Sequence, residues 1–260
     1  MAQLSWELLQ QVFTTETIMT AGPDLLTWEH GTDLAPVRAE AESRRFDVVP
    51  VTEDGRIVGV LCEEGLKPED LTDRWLVSRD TGIPDLVTIL AESGRPALLV
   101  FHRQDVIGMV APADLNKMPA RVYFYNLIGE LELVLAEFIR SYWTGDPEDL
   151  LLLLSKKRRE KLTSQASGLV EGNVNVDPIQ LFYLSDLVEV VAKSEGLRSE
   201  LGFASRGAAA DYLNGLVDLR DKTMHLVRPL LERVPEDLYK LHERVERAKH
   251  LLEQLNEGIE

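Results

Sequence analysis

The sequence predicts an α+β chain in which a duplicated strand-and-helix half precedes an all-α helical bundle. Three observations predict it. Short apolar runs separated by turn signals fill the chain to about residue 118, and helical periodicity takes over after Pro119. RIVGVL at 56–61 returns as DVIGMV at 105–110, the mark of an internal duplication. Asp146-Pro147 and Asp177-Pro178 each read as a helix opening, with an acid at the N-cap and proline at the first helical position.

Composition sets the bounds. The 260 residues suit one large or two ordinary domains, and 45% hydrophobic content is enough for real cores. Against 28 Lys and Arg stand 44 Asp and Glu, a net charge of −16. Such a surface repels a polyanion at long range, which argues against loose nucleic-acid binding but leaves room for a local basic cleft. The single cysteine, Cys62, has no internal partner for a disulfide and fits a reducing compartment. The start MAQLSWELLQ lacks the basic and apolar regions of a secretory signal. Apolar runs such as DLLLLLSKK are too short to span a bilayer. The expected location is the cytoplasm, with no membrane partner.

The first half divides into an N-terminal segment at 1–13 and two units at 14–67 and 74–118. FDVVPVTEDGRIVGVL (46–61) holds two β-rich runs around Asp54-Gly55, a strong hairpin signal. PALLVFHRQDVIGMVA (96–111) repeats it with a shorter turn. AES occurs at 41 and 91, an offset of 50, whereas the hairpin ends are offset by 49, which places one missing residue in the second turn. Amphipathic helices are expected after Thr32 and Gly82.

These repeats, their length and their hairpin ends resemble a tandem pair of CBS (cystathionine-β-synthase-type) domains over residues 14–118. In that family a strand ends in Gly-x-x-Thr/Ser-x-x-Asp. The hydroxyl touches phosphate, and the Asp accepts hydrogen bonds from a ribose diol. The second unit reads GMVAPAD, from Gly108 to Asp114: Asp114 matches the ribose position and Ala111 replaces the hydroxyl. The first reads GVLCEEG, from Gly59 to Gly65, with Cys62 at the hydroxyl position and Gly65 where the Asp should be. The resemblance implies a regulatory adenine nucleotide (AMP, ADP or ATP) in the cleft that includes Asp114, since a carboxylate accepts two hydroxyls and glycine cannot. Capping of the helix that follows is the other reading of Asp114.

The second half, 119–260, reads as helices. RVYFYNLIGELELVLAEFIRSYW carries Tyr125, Ile128, Leu131, Leu135, Phe138 and Tyr142 at helical spacing. Asp146-Pro147 opens the next helix, and Asp177-Pro178 opens QLFYLSDLVEVVAKSEG. A further helix covers roughly 205–232, and Pro235 starts the last, EDLYKLHERVERAKHLLEQL. The stretch 165–176 reads as a loop.

Residues 216–231, LVDLRDKTMHLVRPLL, set Arg220, Asp221 and His225 inside an apolar pattern. Arg, four to six residues and then His recurs at Arg95/His102 and Arg244/His250, so the spacing alone decides nothing. Only Arg220 is followed by a polar residue, in the penultimate helix of a bundle. On that context the half resembles a HEPN domain, the helical domain of many prokaryotic toxin and defence ribonucleases; its first helix, with RVYFYNLI and Leu131-Glu132, is similar too. The resemblance implies metal-independent RNA cleavage leaving a 2′,3′-cyclic phosphate, with no catalytic cofactor. His225 would be base or acid, Arg220 would hold phosphate and Asp221 would orient the imidazole. Asp221 and His225, four apart, share a helix face. Arg220 and His225, five apart, diverge by about 140° on a regular helix. A kink near Pro229 or a homodimer that pools two motifs would resolve that, and the family solution is the homodimer.

Two lesser features remain. SKKRREK (155–161) gathers five cations, read either as an RNA-facing edge or, by slight preference, as a solvated helix end favouring a C-terminal dipole. Arg228, three residues after His225, is a secondary candidate for phosphate contact. Scattered histidines, including His30, His242 and His250, and the absence of HExxH or CxxC spacing argue against a metal site. The sequence therefore carries two functions of different class. One is a nucleotide-gated ribonuclease, a toxin or stress effector, with RNA as substrate and an antitoxin or partner protein implied. The other is a non-catalytic nucleotide-sensing adaptor. A third reading makes the helical domain the target of a partner nucleotidyltransferase.

Overall fold

The structure is a computed structural model that describes residues 5–62, 69–171 and 177–258. The chain forms two compact units: Met1–Tyr123 with Val227–His242, and Phe124–Leu226 with Glu243–Glu260. The N-terminal unit thus extends past the expected edge at 118 and takes in a short segment from near the C-terminus.

Chain order in the first unit is α1 (Ser5–Val12), β1 (Thr20–Ala21), β2 (Trp28–Glu29), α2 (Ala35–Arg44), β3 (Val48–Glu53), β4 (Arg56–Cys62), β5 (Glu69–Asp70), β6 (Leu76–Ser78), α3 (Ile83–Ser93), β7 (Leu98–His102) and β8 (Asp105–Val110). Two four-stranded sheets result, ordered β2-β3-β4-β5 and β1-β8-β7-β6. In each, a short strand runs parallel to the first hairpin strand, β2 beside β3 and β6 beside β7. The hairpins are antiparallel, and each bulges at the same place, after Val51 and after Val100. The duplication is therefore real in three dimensions.

Its register differs from the one expected. Glu53 faces Arg56 and His102 faces Asp105, so both turns hold two residues and neither is shorter. The helix ends match as well: Arg45 and Gly94 both close a helix in the left-handed region, at φ 59 and 61. An offset of 49 thus runs from helix cap to hairpin end, and the AES match lies one residue out of register. Asp54 and Gly55, at φ 51 and 76, supply the two positive φ values that a tight hairpin turn requires.

The outer strands explain the repeated glycine. β5 pairs with β4, and β1 pairs with β8 through Thr20↔Met109 and Ala21↔Gly108. A Cβ on Gly59 would lie 2.5 Å from the Glu69 carbonyl oxygen, and one on Gly108 2.7 Å from that of Thr20. Close approach of an added strand, rather than turn geometry, demands glycine there. β1 comes from the stretch expected to belong to the first unit, yet it completes the sheet of the second.

Burial follows the pattern unevenly. α3 buries Ile83, Leu86, Val87 and Leu90, whereas α2 buries only Ala41. Val48, Val60, Trp75, Ala97 and Leu99 form one core cluster drawn from both repeats.

The second unit is helical. α4 (Met118–Tyr142) contributes from Phe124 onward, followed by α5 (Leu150–Leu153), α6 (Lys156–Glu171), α7 (Leu184–Lys193), α8 (Glu195–Glu200), α9 (Arg206–Met224) and the part of α10 (Glu236–Gly258) beyond His242. The α4 stripe is buried at Ile128, Leu131, Leu135 and Phe138, but its ends, Tyr125 and Tyr142, are exposed. Asp146 caps a 3-10 turn, Pro147–Asp149, that leads into α5, accepting from the Glu148 N–H at 2.9 Å. Asp177 caps a separate 3-10 turn, Pro178–Leu181, and α7 starts later, where Asp186 accepts from the Tyr183 N–H.

Two expectations are corrected. The stretch 165–171 is helical, as the C-terminal part of α6, and 172–176 lie outside the described residues. The helix expected over 205–232 ends at Met224, because the apolar residues beyond it serve the other unit: Leu230 is 2% exposed and Leu231 6%. Among the described residues no helix is long and apolar enough to cross a membrane.

Candidate functional site

The N-terminal unit holds a cavity of about 600 Å³ between its repeats. Such a volume is typical of small-molecule sites. Asp114 lines it from the 3-10 turn Pro112–Asn116. Its Oδ2 accepts from the Ala111 N–H at 2.7 Å, and its Oδ1 lies 2.8 Å from Lys117 Nζ. Lys117 also donates to the Ile18 carbonyl at 2.6 Å, tying the turn to the chain before β1. Asp114 is therefore not the N-cap of the helix that follows, as one reading held: it sits at the third position of the 3-10 turn, bonds back to the N–H of the N-cap residue Ala111, and lines the cavity.

The other charged groups of the cavity come from separate segments: Arg44 at the end of α2 with Arg45 and Asp47 after it, Arg95 after α3, and Asp24 after β1. Three arginines and three carboxylates around one cavity suit a ligand with both an anionic end and hydrogen-bond donors. The arginines differ in commitment. Arg44 pairs with Glu40 at 2.5 Å. Arg95 lies over the Trp75 ring at 3.8 Å and reaches Glu69 only at 3.9 Å. The Arg45 guanidinium has no partner among the described residues. Gly65, at the matching position of the first repeat, lies outside the described residues.

An apolar wall completes the cavity. Leu90, Ala97 and Met109 come from the repeats, and Val234, Pro235, Leu238 and Tyr239 from the returning segment 227–242. That segment is pinned. Asn116 Oδ1 accepts from the backbone N–H groups of Leu230 and Leu231, at 2.5 and 3.1 Å. Arg121, 3% exposed, donates to the Arg228 carbonyl, and burial pulls its pKa down. Of the residues that line this cavity, sequence reasoning singled out Asp114 for it and not the arginines or Tyr239.

The Arg–His motif occupies the end of α9. His225 is its C-cap, at φ −88 and ψ 76, and its N–H donates to the Asp221 carbonyl at 3.1 Å. The helix stops there, so Asp221 and His225 do not sit one turn apart on a continuing face. The Asp221 carboxylate takes Arg220 Nη1 at 3.2 Å. The imidazole is exposed and makes no side-chain hydrogen bond among the described residues. Pro229 and Arg228 lie beyond the helix, so neither kinks it nor extends its face.

Arg220 has a second environment. Its guanidinium lies 5.7 Å from the centre of the Tyr183 ring, and Arg158 lies 4.6 Å from that ring. Arg158 also grips Asp186 through two hydrogen bonds of 2.8 and 2.5 Å, and that contact raises its pKa. Glu132 completes the group: burial pushes its carboxyl up, Arg220 pulls it down, and Asp186 pushes it up again. The basic run 155–161 opens α6, so its cations oppose the local dipole rather than favour it. Its most shielded member, Arg158, is spent on Asp186. In the other two spaced Arg–His pairs the arginine is engaged elsewhere: Arg95 stacks on Trp75 at the cavity, and Arg244 pairs with Asp218 at 2.6 Å. Among the described residues no three His, Cys, Asp or Glu stand together as metal ligands.

No protein-family model matches the chain, and no curated protein does. Solved structures similar to it include CBSX2 in complex with AMP, at 16% identity over 39% of this chain and 92% of that one, TM-score 0.35. The CBS domain of a bacterial CNNM/CorC family Mg2+ transporter in complex with ATP matches at 21% identity over 42% and 89%, TM-score 0.34. A conserved CBS domain protein of unknown function from Thermoplasma acidophilum matches at 20% identity over 45% and 75%, TM-score 0.34.

Proposed function

We propose that this protein is a nucleotide-sensing regulator. Its N-terminal cavity takes an adenine nucleotide, and its helical unit carries the output. The observation behind the reading is one cavity in which Asp114 shares the wall with Arg44, Arg45 and Arg95 beside an apolar surface. A ribose diol suits the carboxylate, a phosphate suits the guanidinium groups, and a flat base suits the apolar side. The resemblance of the repeats to CBS domains points the same way. A ligand that binds only the folded chain raises its melting temperature with concentration. AMP, ADP and ATP are therefore each titrated in a thermal unfolding assay. At least one is expected to raise the melting temperature progressively. No shift with any of them at millimolar concentration contradicts the reading.

A second reading keeps the ribonuclease, favoured by the exposed imidazole of His225 and by Arg220 held beside Tyr183. Arg220 would bind phosphate and His225 would exchange protons, in a homodimer that pools the two motifs. Its test is metal-free cleavage of total RNA by wild type and His225→Ala, with the cyclic phosphate end assayed. Cleavage by wild type alone supports it. No cleavage by either, with and without adenine nucleotide, leaves the sensor-adaptor.

A further inference from the structure

The wall of the cavity that the repeats do not supply comes from 227–242, a segment that starts two residues after His225. It presents one aromatic ring to the cavity, that of Tyr239, which is half exposed. Pro235 and Leu238, close to it in the chain, also line the cavity and are apolar. Flat rings stack on purine bases irrespective of hydrogen bonding, because every base offers a π face. Proline and leucine beside the ring exclude water from the stack. The same segment hangs from Asn116, the residue two after Asp114, through the two backbone bonds from Leu230 and Leu231. One end of a bound nucleotide would thus meet Asp114, on the turn that holds the segment, and the other would meet the segment itself.

Resting on the nucleotide reading above, we infer that Tyr239 is the base-stacking residue of the cavity and that segment 227–242 tightens when the site is filled. Occupancy is then felt by the stretch of chain that leads directly out of the Arg220–His225 motif. The repeats bring one ring of their own to the cavity, that of Phe46, but the Arg44 guanidinium lies over it, 5.8 Å from its centre.

AMP is the probe, titrated calorimetrically into the full chain carrying wild-type Tyr239, Tyr239→Phe or Tyr239→Ala. The half-exposed position tolerates both changes without unfolding. Loss of a stacked base contact weakens binding about tenfold or more. Tyr239→Ala is expected to show that loss, and Tyr239→Phe is expected to stay within about twofold of wild type, since it keeps the ring. Equal affinity in wild type and Tyr239→Ala overturns the assignment, as does an equal loss in Tyr239→Phe. Amide hydrogen exchange gives the second readout. AMP is expected to slow exchange at Leu230 and Leu231, and unchanged exchange at saturation overturns the tightening. A wild-type chain that binds no AMP removes the nucleotide reading and this inference together, whereas binding that ignores Tyr239 removes this inference alone.

Discussion

Asp114 holds Lys117 at 2.8 Å through one carboxylate oxygen while the other accepts the Ala111 N–H at 2.7 Å. The side chain is only 14% exposed, so both contacts are partly shielded from water. A single residue thus fixes the turn that ends the second hairpin and presents charge to the cavity. The two roles separate by substitution. Asp114→Asn keeps an oxygen for the Ala111 N–H and loses the charge; Asp114→Ala loses both. Asp114→Ala is expected to lower unfolding free energy by about 1 kcal/mol, the usual net worth of one such hydrogen bond, and Asp114→Asn by less. Urea denaturation checks the order.

Gly108 and Gly59 are predicted to resist substitution for one shared reason. A Cβ at either site runs into a backbone carbonyl of an added strand, and backbone yields poorly. Gly108→Ala is expected to destabilise by about 1–3 kcal/mol. Gly129→Ala, where the added carbon meets nothing within 4 Å on a helix, is expected to stabilise slightly. Thermal unfolding of the two variants reads opposite signs.

Arg158 and Asp186 stand apart from the surface ion pairs. Their side chains are 16% and 5% exposed, whereas those of Lys156 and Glu160 are 83% and 65% exposed. Removing Arg158 strands a buried carboxylate, at a cost of about 3 kcal/mol. Lys156→Ala is expected to change stability by under about 0.5 kcal/mol. Similar effects for the two, measured in urea, would show that Arg158 is as free for a ligand as its neighbours.

Glu132 gives a pH dependence with a fixed sign. Its pKa in the folded chain is raised, chiefly by burial. Its contribution to stability is therefore full below the unfolded carboxylate pKa and is lost as pH rises through the folded value. Ionised Glu132 opposes folding at neutral pH. Glu132→Gln is expected to melt higher than wild type at pH 7, with the gap closing towards about pH 4. A gap that does not change with pH would contradict the assignment.

Much of the first unit was legible because its signals are local. Asp54-Gly55 and the recurring Gly59 and Gly108 lie within continuous hairpins. β1 was not legible: two residues carry no alternation, and its partner lies some 90 residues on. The end of α9 misled for a different reason. Leu226, Val227, Leu230 and Leu231 continue a helical apolar pattern, yet Val227 is fully exposed while Leu230 and Leu231 are buried in the other unit. Periodicity reports that residues need burial, and it does not report against what. The cavity shows the same limit. Asp114 sits in a motif with fixed spacing, whereas Arg45, Arg95 and Tyr239 arrive from three distant segments that only folding brings to one cavity.

The central claim, an adenine nucleotide held with the help of Asp114, is tested most directly by calorimetric titration of AMP into wild type and Asp114→Asn. The account predicts saturable binding to wild type that weakens about tenfold or more in Asp114→Asn, while the variant keeps its fold. Binding of equal strength to both would contradict the role of Asp114, and no binding to wild type would contradict the account itself.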